Sequence, residues 1–309
     1  MTLAYFQLAL SMALVGGNIA VGKFIVQEVP VFLFSEIRFF IALIFLIPLL
    51  KWKGQENINY TQSNLSYLFL QAFFGVFLFS ILMLYGVKLT TATSAGIITS
   101  TIPAAIGILS FVFLKEKLSM KQVVSISLAV IGILLTTFQG ISTREGSTLL
   151  GNILVIGAVI SEALFTIYAK KLAGVLTPLQ MAVGVNFIGL LLFFPFAVNE
   201  VLRYSFSNIN NVTWIMIIYY AITASVLSFI LWYRGVEKVN ANVAGLYTGV
   251  MPIAATIVSG VFLDEYFGFK HLLGMICVLG AIYLGTKESI KQKKHDTAKS
   301  SCQECNLGS

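Results

Sequence analysis

Charged side chains are scarce in this chain of 309 residues: Asp, Glu, Lys and Arg together make up 11%. Hydrophobic residues make up 58%, and the mean hydropathy is +0.90. This composition excludes an ordinary soluble protein and predicts a polytopic membrane protein. The formal net charge is +7. Because the basic residues lie in short loops and a C-terminal tail, we interpret them as a topological signal and expect no nucleic-acid partner.

Cysteine is also scarce, with 3 residues. Cys277 lies in an apolar segment, while Cys302 and Cys305 form a single CxxC pair without the second pair that a zinc site needs. The sequence has no GxxxxGK[ST] motif, which argues against direct use of ATP. It also lacks the HExxH, GxSxG and paired membrane aspartates of an intramembrane hydrolase. We therefore expect no cofactor, no bound metal and no enzymatic activity, with a non-transporting scaffold as a distant alternative.

Long apolar runs dominate the chain. A bilayer core about 30 Å thick needs about 20 apolar residues for each crossing helix. The first run follows no basic residue and precedes no small-residue cleavage site, so we interpret it as a span and not as a signal peptide. The ten predicted spans are Leu3–Val26, Val31–Leu50, Leu65–Val87, Ala92–Leu114, Met120–Phe138, Leu149–Lys170, Pro178–Val198, Val212–Tyr233, Ala241–Leu263 and Phe269–Gly285.

An internal repeat organises these spans. The segment Ala92–Glu116, an apolar run with small residues at its start and a central proline, recurs as Ala241–Glu265. All six prolines pair at nearly one separation: Pro30 with Pro178, Pro48 with Pro195, and Pro103 with Pro252. The sequence therefore predicts an all-α fold of two five-helix repeats, residues 1–140 and 141–287, followed by a mobile cytoplasmic tail, residues 288–309. Because five is odd, the second repeat enters the membrane inverted.

The charges of equivalent loops agree with an inverted repeat. The loop after the first copy carries Lys115, Lys117 and Lys121, whereas the loop after the second copy keeps only Lys270. Basic residues concentrate in loops on the cytoplasmic side of membrane proteins. We therefore expect a multi-pass protein of a bacterial cytoplasmic (inner) membrane, with both termini in the cytoplasm.

The repeated features resemble the EamA-type branch of the drug/metabolite transporter superfamily over nearly the whole chain. The residues that carry the resemblance are Gly17, Asn18 and Lys23 in the first helix and the Leu-x-Glu ends of the repeated helices, Leu114–Glu116 and Leu263–Glu265. The sequence departs from the family's pattern where members often have a Trp before the Gly-x-Asn segment. In the second half, Phe165 stands in the place of Asn18, so the two halves are not expected to contribute equally to a site.

This resemblance implies a secondary transporter that moves small organic metabolites through the lipid bilayer by alternating access. Export of amino acids or amino-acid-like compounds is the favoured function, with Glu162 binding an ammonium group and Arg38 or Asn18 binding a carboxylate. The alternative is uptake or exchange of a charged metabolite such as a nucleoside derivative. Coupling to protons, exchange and facilitated diffusion all stay open.

Four residues are predicted hinges of the repeated helices: Pro103, Pro252, Gly96 and Gly245. A proline inside a helix leaves the carbonyl four residues earlier without its partner, here the carbonyls of Thr99 and Thr248. These carbonyls either meet a neighbouring Thr or Ser hydroxyl in a packing kink or line the substrate cavity. The glycines provide small surfaces for close helix approach or for a ligand.

Glu162 is the deepest carboxylate, near the middle of the sixth span. A charge there costs about 2.5–3.5 kcal/mol on insertion scales, so it needs a compensating partner. It binds a substrate ammonium group or a proton, or it holds helices together by pairing with a Lys, an Arg or a Tyr hydroxyl. Arg38 lies two residues from Glu36 and on a different helix face, so the two cannot simply neutralise one another. Arg38 faces the bundle or snorkels to the surface.

Other polar residues at membrane depth are secondary candidates for a substrate site. Asn18 is expected to line the cavity, while Lys23 lies near the outer end of its span. Trp232, at the end of its span, is interpreted as an interface residue. Glu116 and Glu265 are expected to cap neighbouring helices or to pair with loop lysines. The weaker substrate-binding candidates are Gln71, Tyr168, Asn186, Tyr219 and Tyr247.

Overall fold

A computed structural model describes residues 2–55, 61–90, 95, 98–137, 148–204, 209–262 and 269–307. These residues form helices and contain no β-strand, which confirms the all-α fold class. Two π-helical segments, π1 and π2, interrupt α-helices. The elements are α1 Thr2–Glu28, α2 Val31–Trp52, α3 Gln62–Ala72, π1 Phe73–Leu78, α4 Phe79–Leu89, α5 Ile102–Leu114, α6 Met120–Thr137, α7 Leu149–Leu172, α8 Pro178–Val201, α9 Asn211–Tyr220, π2 Ala221–Leu227, α10 Ser228–Lys238, α11 Ala241–Tyr247, α12 Val250–Phe262 and α13 Phe269–Leu307.

The described helices are long and apolar enough for a multi-pass membrane protein. Within them, eight helical stretches have the length and composition needed to cross a membrane. Two shorter apolar helices, Ile102–Leu114 and Met120–Leu135, fall in the fourth and fifth predicted spans. Large apolar side chains such as Phe40, Ile108 and Leu191 are more than half exposed on the outside of the bundle, where a bilayer would cover them.

The π-helical segments lie at equivalent positions of the two repeats. π1 divides the third span between α3 and α4, and π2 divides the eighth span between α9 and α10. The sequence analysis did not predict either segment. A π turn inserts an extra residue into an α-helix and frequently marks a functional region. The internal repeat therefore extends to an irregular feature of the backbone.

The second repeated helix is broken, not kinked. α11 ends at Tyr247, a short turn contains Thr248 and Gly249, and α12 begins at Val250. Pro252 therefore lies in the first turn of a new helix, where a missing N–H is no loss. The prediction that the Thr248 carbonyl has no partner is wrong, because this carbonyl accepts a hydrogen bond from the Met251 N–H at 3.1 Å.

The first copy follows the same plan where the structure describes it. Pro103 lies at the beginning of α5, and the Thr101 N–H donates to the Ile98 carbonyl at 3.1 Å in the turn just before. The Thr99 hydroxyl donates to the Ala95 carbonyl at 2.9 Å. Gly96 lies outside the described residues. Pro103 thus lies in the first turn of a helical segment, just after a turn near the middle of the predicted span, and its role as a hinge stays a prediction.

The two repeats pack together through these broken helices. A Cβ atom on Gly245 would lie only 2.9 Å from Ile106 Cγ2, so the glycine permits the close approach of α11 to α5. The Glu116 carboxylate, just after α5, accepts the N–H groups of Ala241 and Asn242 at 2.8 and 3.1 Å. It caps the beginning of α11, which confirms the expected capping role of Glu116. Glu265 lies outside the described residues.

The C-terminal segment is helical in the structure. α13 continues past the membrane span to Leu307, which the sequence analysis did not predict. Residues 288–307 contain four Lys, two Gln and two Glu residues, which have high helix propensity even without an apolar face. The mobility of this segment stays a prediction, and the side chains of Cys302 and Cys305 lie outside the described part of the chain.

Candidate transport site

Glu162 lies near the middle of α7 and is half-buried. Within the described part of the chain, its carboxylate makes no salt bridge and no hydrogen bond, while its backbone carbonyl accepts the Thr166 hydroxyl at 3.4 Å. Phe165, three residues further along α7, packs against the Tyr233 ring of α10 at a centroid distance of 6.2 Å. The helix bundle therefore presents an acidic group that no described Lys or Arg neutralises.

Gln71 and Tyr233 are fully buried, and Tyr233 packs against Phe165, one turn from Glu162. The Gln71 amide Nε2 donates to the Tyr233 hydroxyl at 3.3 Å, joining α3 to α10. Gln71 Oε1 is buried and has no hydrogen-bond partner among the described residues. A buried amide oxygen without a partner costs about 1–3 kcal/mol, so this position favours a polar ligand or water.

Aromatic rings complete the surroundings of Glu162. The rings of Phe165, Phe229 and Tyr233 have centroids 6.0–6.2 Å apart. Gly75 of π1 faces Phe165 so closely that any side chain on Gly75 would collide with the ring. The Glu162 cluster, as we call it, comprises Glu162, Gln71, Phe165, Phe229 and Tyr233.

Sequence reasoning missed Tyr233 and misinterpreted Trp232. The eighth span was predicted to end at Tyr233, but α10 continues to Lys238, so both aromatic residues lie within the helix and not at its end. Trp232 is 1% exposed, and its indole Nε1 has no hydrogen-bond partner among the described residues. The interpretation of Trp232 as an interface residue is therefore wrong. The predicted span ended before the charged residues Arg234, Glu237 and Lys238. In the structure these residues continue the same helix.

A second polar cluster lies where α1 and α2 meet α9 and π2. Asn18 is 1% exposed, and its Nδ2 donates to the Leu14 carbonyl at 2.7 Å and to Thr223 Oγ1 at 2.8 Å. The Thr223 hydroxyl also lies 2.7 Å from the Tyr219 carbonyl. Both amide hydrogens of Asn18 are thus used within the protein, which ties α1 to π2.

Arg38 faces the bundle and does not snorkel. Its Cζ lies 4.4 Å from the centroid of the Phe39 ring and 5.6 Å from that of the Tyr220 ring, within the range of cation–π attraction. Its Nε is buried and has no hydrogen-bond partner among the described residues. Asn18, Thr223, Arg38 and Tyr220 form what we call the Asn18 cluster.

The structure does not bring Arg38 and Glu162 to a single small ligand. Arg38 contacts Tyr220, whereas Phe165, one turn from Glu162, packs against Tyr233, thirteen residues further along the same span. At 1.5 Å per residue this separation is about 20 Å along the helix axis. The ammonium nitrogen and the carboxylate carbon of an α-amino acid are bonded to the same α-carbon. Arg38 and Glu162 therefore cannot bind the two groups of one molecule at once.

The other predicted residues lie in separate neighbourhoods. The Tyr168 ring stacks on Tyr67 and Phe74 at centroid distances of 6.0 and 6.2 Å, next to the Lys171 ammonium. The Tyr247 ring stacks on Tyr5 at 6.1 Å. The remaining contacts of these candidates are the Tyr247 hydroxyl with Thr286 Oγ1 at 3.2 Å, the Thr248 hydroxyl with the Gly245 carbonyl at 2.7 Å, and Asn186 Nδ2 with the Ala182 and Ser225 carbonyls at 2.8 and 3.1 Å.

The fold and the buried polar groups define a multi-pass membrane protein of repeated five-helix design, and comparisons with known proteins agree. A sequence model of the EamA-like transporter family matches residues 2–138 and 149–286. The chain therefore belongs to the EamA-like transporter family, and the resemblance seen in its sequence is confirmed.

Relatives and a solved structure cover nearly the whole chain. The uncharacterized transporter YetK of Bacillus subtilis is 44% identical over 295 residues, which is 95% of this chain and 88% of YetK. The uncharacterized transporter YyaM of the same organism is 26% identical over 243 residues, 78% of this chain and 79% of YyaM. The crystal structure of a protein that is 14% identical superimposes with a TM-score of 0.77, covering 92% of this chain and 97% of that one. At this identity the likeness shows the fold alone.

Proposed function

We propose that this EamA-like transporter exports amino acids or amino-acid-like compounds by alternating access, with Glu162 binding the substrate ammonium group. The observation that carries the proposal is the half-buried Glu162 carboxylate, which has no cationic partner among the described residues. A charged group at membrane depth is retained where a partner compensates it. A substrate ammonium group supplies that compensation, and a proton supplies it when the substrate has left.

The carboxylate of such a substrate is assigned to the donors beside Glu162, and not to Arg38 or Asn18. The Gln71 amide and the Tyr233 hydroxyl lie in the same cluster and share one hydrogen bond of 3.3 Å, which is long enough to give way to a ligand. Asn18 already uses both amide hydrogens, and Arg38 lies too far along the span.

Two features support alternating access. The turn at Thr248 and Gly249 divides one repeated helix into half-helices, as in many secondary transporters whose substrates bind at broken helices. The π segments give the third and eighth spans a locally altered hydrogen-bond register. We propose that these three places bend when the two repeats exchange their inward- and outward-facing arrangements.

Uptake or exchange of a charged metabolite such as a nucleoside derivative is the second candidate. The rings of Phe165, Phe229 and Tyr233 favour it, because a planar base stacks on aromatic side chains. A thermal-shift screen of the purified protein with amino acids, amines and nucleosides separates the two candidates. Stabilisation by nucleosides alone would replace the amino acid proposal.

For the location, we propose the cytoplasmic membrane with both termini in the cytoplasm. The basic residues Lys115, Lys117 and Lys121 after α5 support this orientation through the positive-inside rule. Single cysteines placed in the Lys115–Lys121 loop and in the Asp264–Lys270 loop are expected to react with an impermeant thiol reagent from opposite sides. Labelling from one side only would refute the inverted arrangement.

Flux in proteoliposomes tests the role of Glu162. For the ligands found in the thermal-shift screen, Glu162→Gln is expected to lower flux at least tenfold, because the neutral amide no longer compensates an ammonium group, a difference of about 1.4 kcal/mol or more. Glu237→Gln is the matched control, since Glu237 is an exposed carboxylate near the end of α10. Undiminished flux of amines and amino acids in Glu162→Gln would assign Glu162 a structural role.

A further inference from the structure

A cavity lies on the outside of the bundle, between α2, α8 and α9. Its volume is about 720 Å³, within the range of about 300–1,000 Å³ typical of ligand pockets. Phe40, Ile44 and Phe194 line it and are each more than half exposed. Because these exposed apolar side chains face the hydrocarbon of a bilayer, the cavity opens sideways into the membrane.

Glu36 is the only charged residue among the described residues that line this cavity. Its Oε2 is buried and has no hydrogen-bond partner in the described part of the chain. Arg38, two residues further along α2, points elsewhere, to the rings of Phe39 and Tyr220. The cavity wall therefore combines a wide apolar surface with one uncompensated acidic group, which is complementary in charge to a cation.

The acidic group lies at one end of the cavity. Glu36 is close to the beginning of α2, which adjoins the end of α8, because the Leu33 N–H donates to Glu200 Oε2 at 2.7 Å. From Glu36 to Ile44 the wall follows α2 for eight residues, about 12 Å, with only apolar side chains after Glu36. The cavity is thus polar near the membrane surface and apolar further in, like an amphiphile lying in a bilayer.

We propose that this cavity binds a single-chain amphiphile with a protonated amine. The ammonium group pairs with Glu36, and the alkyl chain lies along Phe40, Ile44 and Phe194. A phosphate-bearing headgroup is disfavoured, since Glu200 adds a second acidic side chain at the same end and the described wall carries no basic residue. The site uses a different carboxylate and different helix faces from those of the Glu162 cluster, and it stands independently of the proposed function.

Trp214 lines the cavity, so quenching of its fluorescence reports binding there. In protein reconstituted in nanodiscs, dodecylamine with a nitroxide on its chain is expected to quench tryptophan fluorescence saturably. Trp214→Phe identifies the part of the signal that comes from the cavity, and unlabelled dodecylamine competes. Glu36→Gln is expected to weaken the apparent affinity about tenfold, whereas Glu237→Gln leaves it unchanged.

Two further arms keep the test decisive if Glu36→Gln lowers protein stability. Nitroxide-labelled dodecanol, which has no charge, is expected to bind about tenfold more weakly than the amine to the unaltered protein. Ile44→Phe narrows the deep end, so it is expected to weaken dodecylamine more than hexylamine. Equal binding of amine and alcohol, affinity unchanged by Glu36→Gln, or equal competition by phosphatidylethanolamine would each overturn the proposal.

Discussion

The Asn18 cluster and the Glu162 cluster occupy corresponding places in the two repeats, but their polar groups are used differently. Phe165 of the second repeat occupies the position that corresponds to Asn18 of the first. Gln71 and Tyr220 also correspond, since each lies one or two residues before a π segment. In the Asn18 cluster, the Asn18 amide is bonded to Leu14 and Thr223. In the Glu162 cluster, the Glu162 carboxylate and Gln71 Oε1 have no partner among the described residues.

The difference lies between the Asn18 amide and the Glu162 carboxylate, because Arg38 Nε in the Asn18 cluster also has no hydrogen-bond partner among the described residues. An amide with all its hydrogens bonded holds two helices together and has nothing left for a ligand. A carboxylate without a cation, beside an amide oxygen without a donor, leaves binding capacity to be filled. Glu162 and Asn18 therefore predict opposite consequences of mutation: changes at Glu162 are expected to alter transport, and changes at Asn18 are expected to alter stability.

The largest expected effect separates two tyrosines of the same span. Tyr233→Phe removes the hydroxyl that accepts the Gln71 amide N–H and is expected to lower flux about tenfold, because we propose that this hydroxyl binds the substrate carboxylate, and a hydrogen bond to a charged group contributes about 1.5–3 kcal/mol. Tyr220→Phe is the matched control in the Asn18 cluster, because a phenyl ring still lies under Arg38 at that position. Flux in proteoliposomes measures both.

The comparison would fail if the two variants changed flux equally. It would also fail if Tyr233→Phe lowered the melting temperature as much as the flux, because the hydroxyl would then serve packing and not transport. A larger loss with Tyr220→Phe would move the candidate site to Arg38.

The sequence was sufficient for the scaffold because its signals are long. Ten apolar runs, three pairs of prolines and the repeated Leu-x-Glu ends predicted an all-α membrane protein of two halves, and the capping role of Glu116 followed from its place at a helix end. The π segments could not be predicted, since one extra residue in a turn leaves hydropathy unchanged. The helix break at Thr248 was mistaken for a kink because Pro252 fits both the interior of a kinked helix and the first turn of a new one.

Predicting the site was harder, because it depends on which side chains meet. Glu162 and Gln71 were identified as candidates by depth alone, but Tyr233 was missed since the span boundary was placed at that residue. Asn18 and Arg38 were candidates for the same reason, but their partners belong to the protein. Asn18 donates a hydrogen bond to Thr223. Arg38 contacts the rings of Phe39 and Tyr220. A sequence shows that a polar residue is buried in the membrane, but its partners come from helices far apart in the chain.

An intermediate effect is expected in the Asn18 cluster. Asn18→Ala removes two buried hydrogen bonds and leaves Thr223 without its partner on α1, so we expect the free energy of unfolding to fall by about 1–3 kcal/mol. Thr223→Val is expected to cost about 1 kcal/mol. A double-mutant cycle from unfolding in SDS–detergent mixtures measures the coupling. Additive losses would show that the pair does not act as a unit, and flux per folded molecule should stay unchanged.

The smallest expected effect tests whether the repeats are equivalent at their ends. Glu116→Gln keeps a side-chain oxygen for one N–H of α11 but removes the negative charge at the beginning of that helix, which is worth about 0.3–1 kcal/mol. The internal repeat predicts a similar loss for Glu265→Gln, although Glu265 lies outside the described residues. Thermal unfolding of the two single variants measures both losses. A loss confined to Glu116→Gln would show that the asymmetry between the Asn18 and Glu162 clusters extends to the ends of the repeated helices.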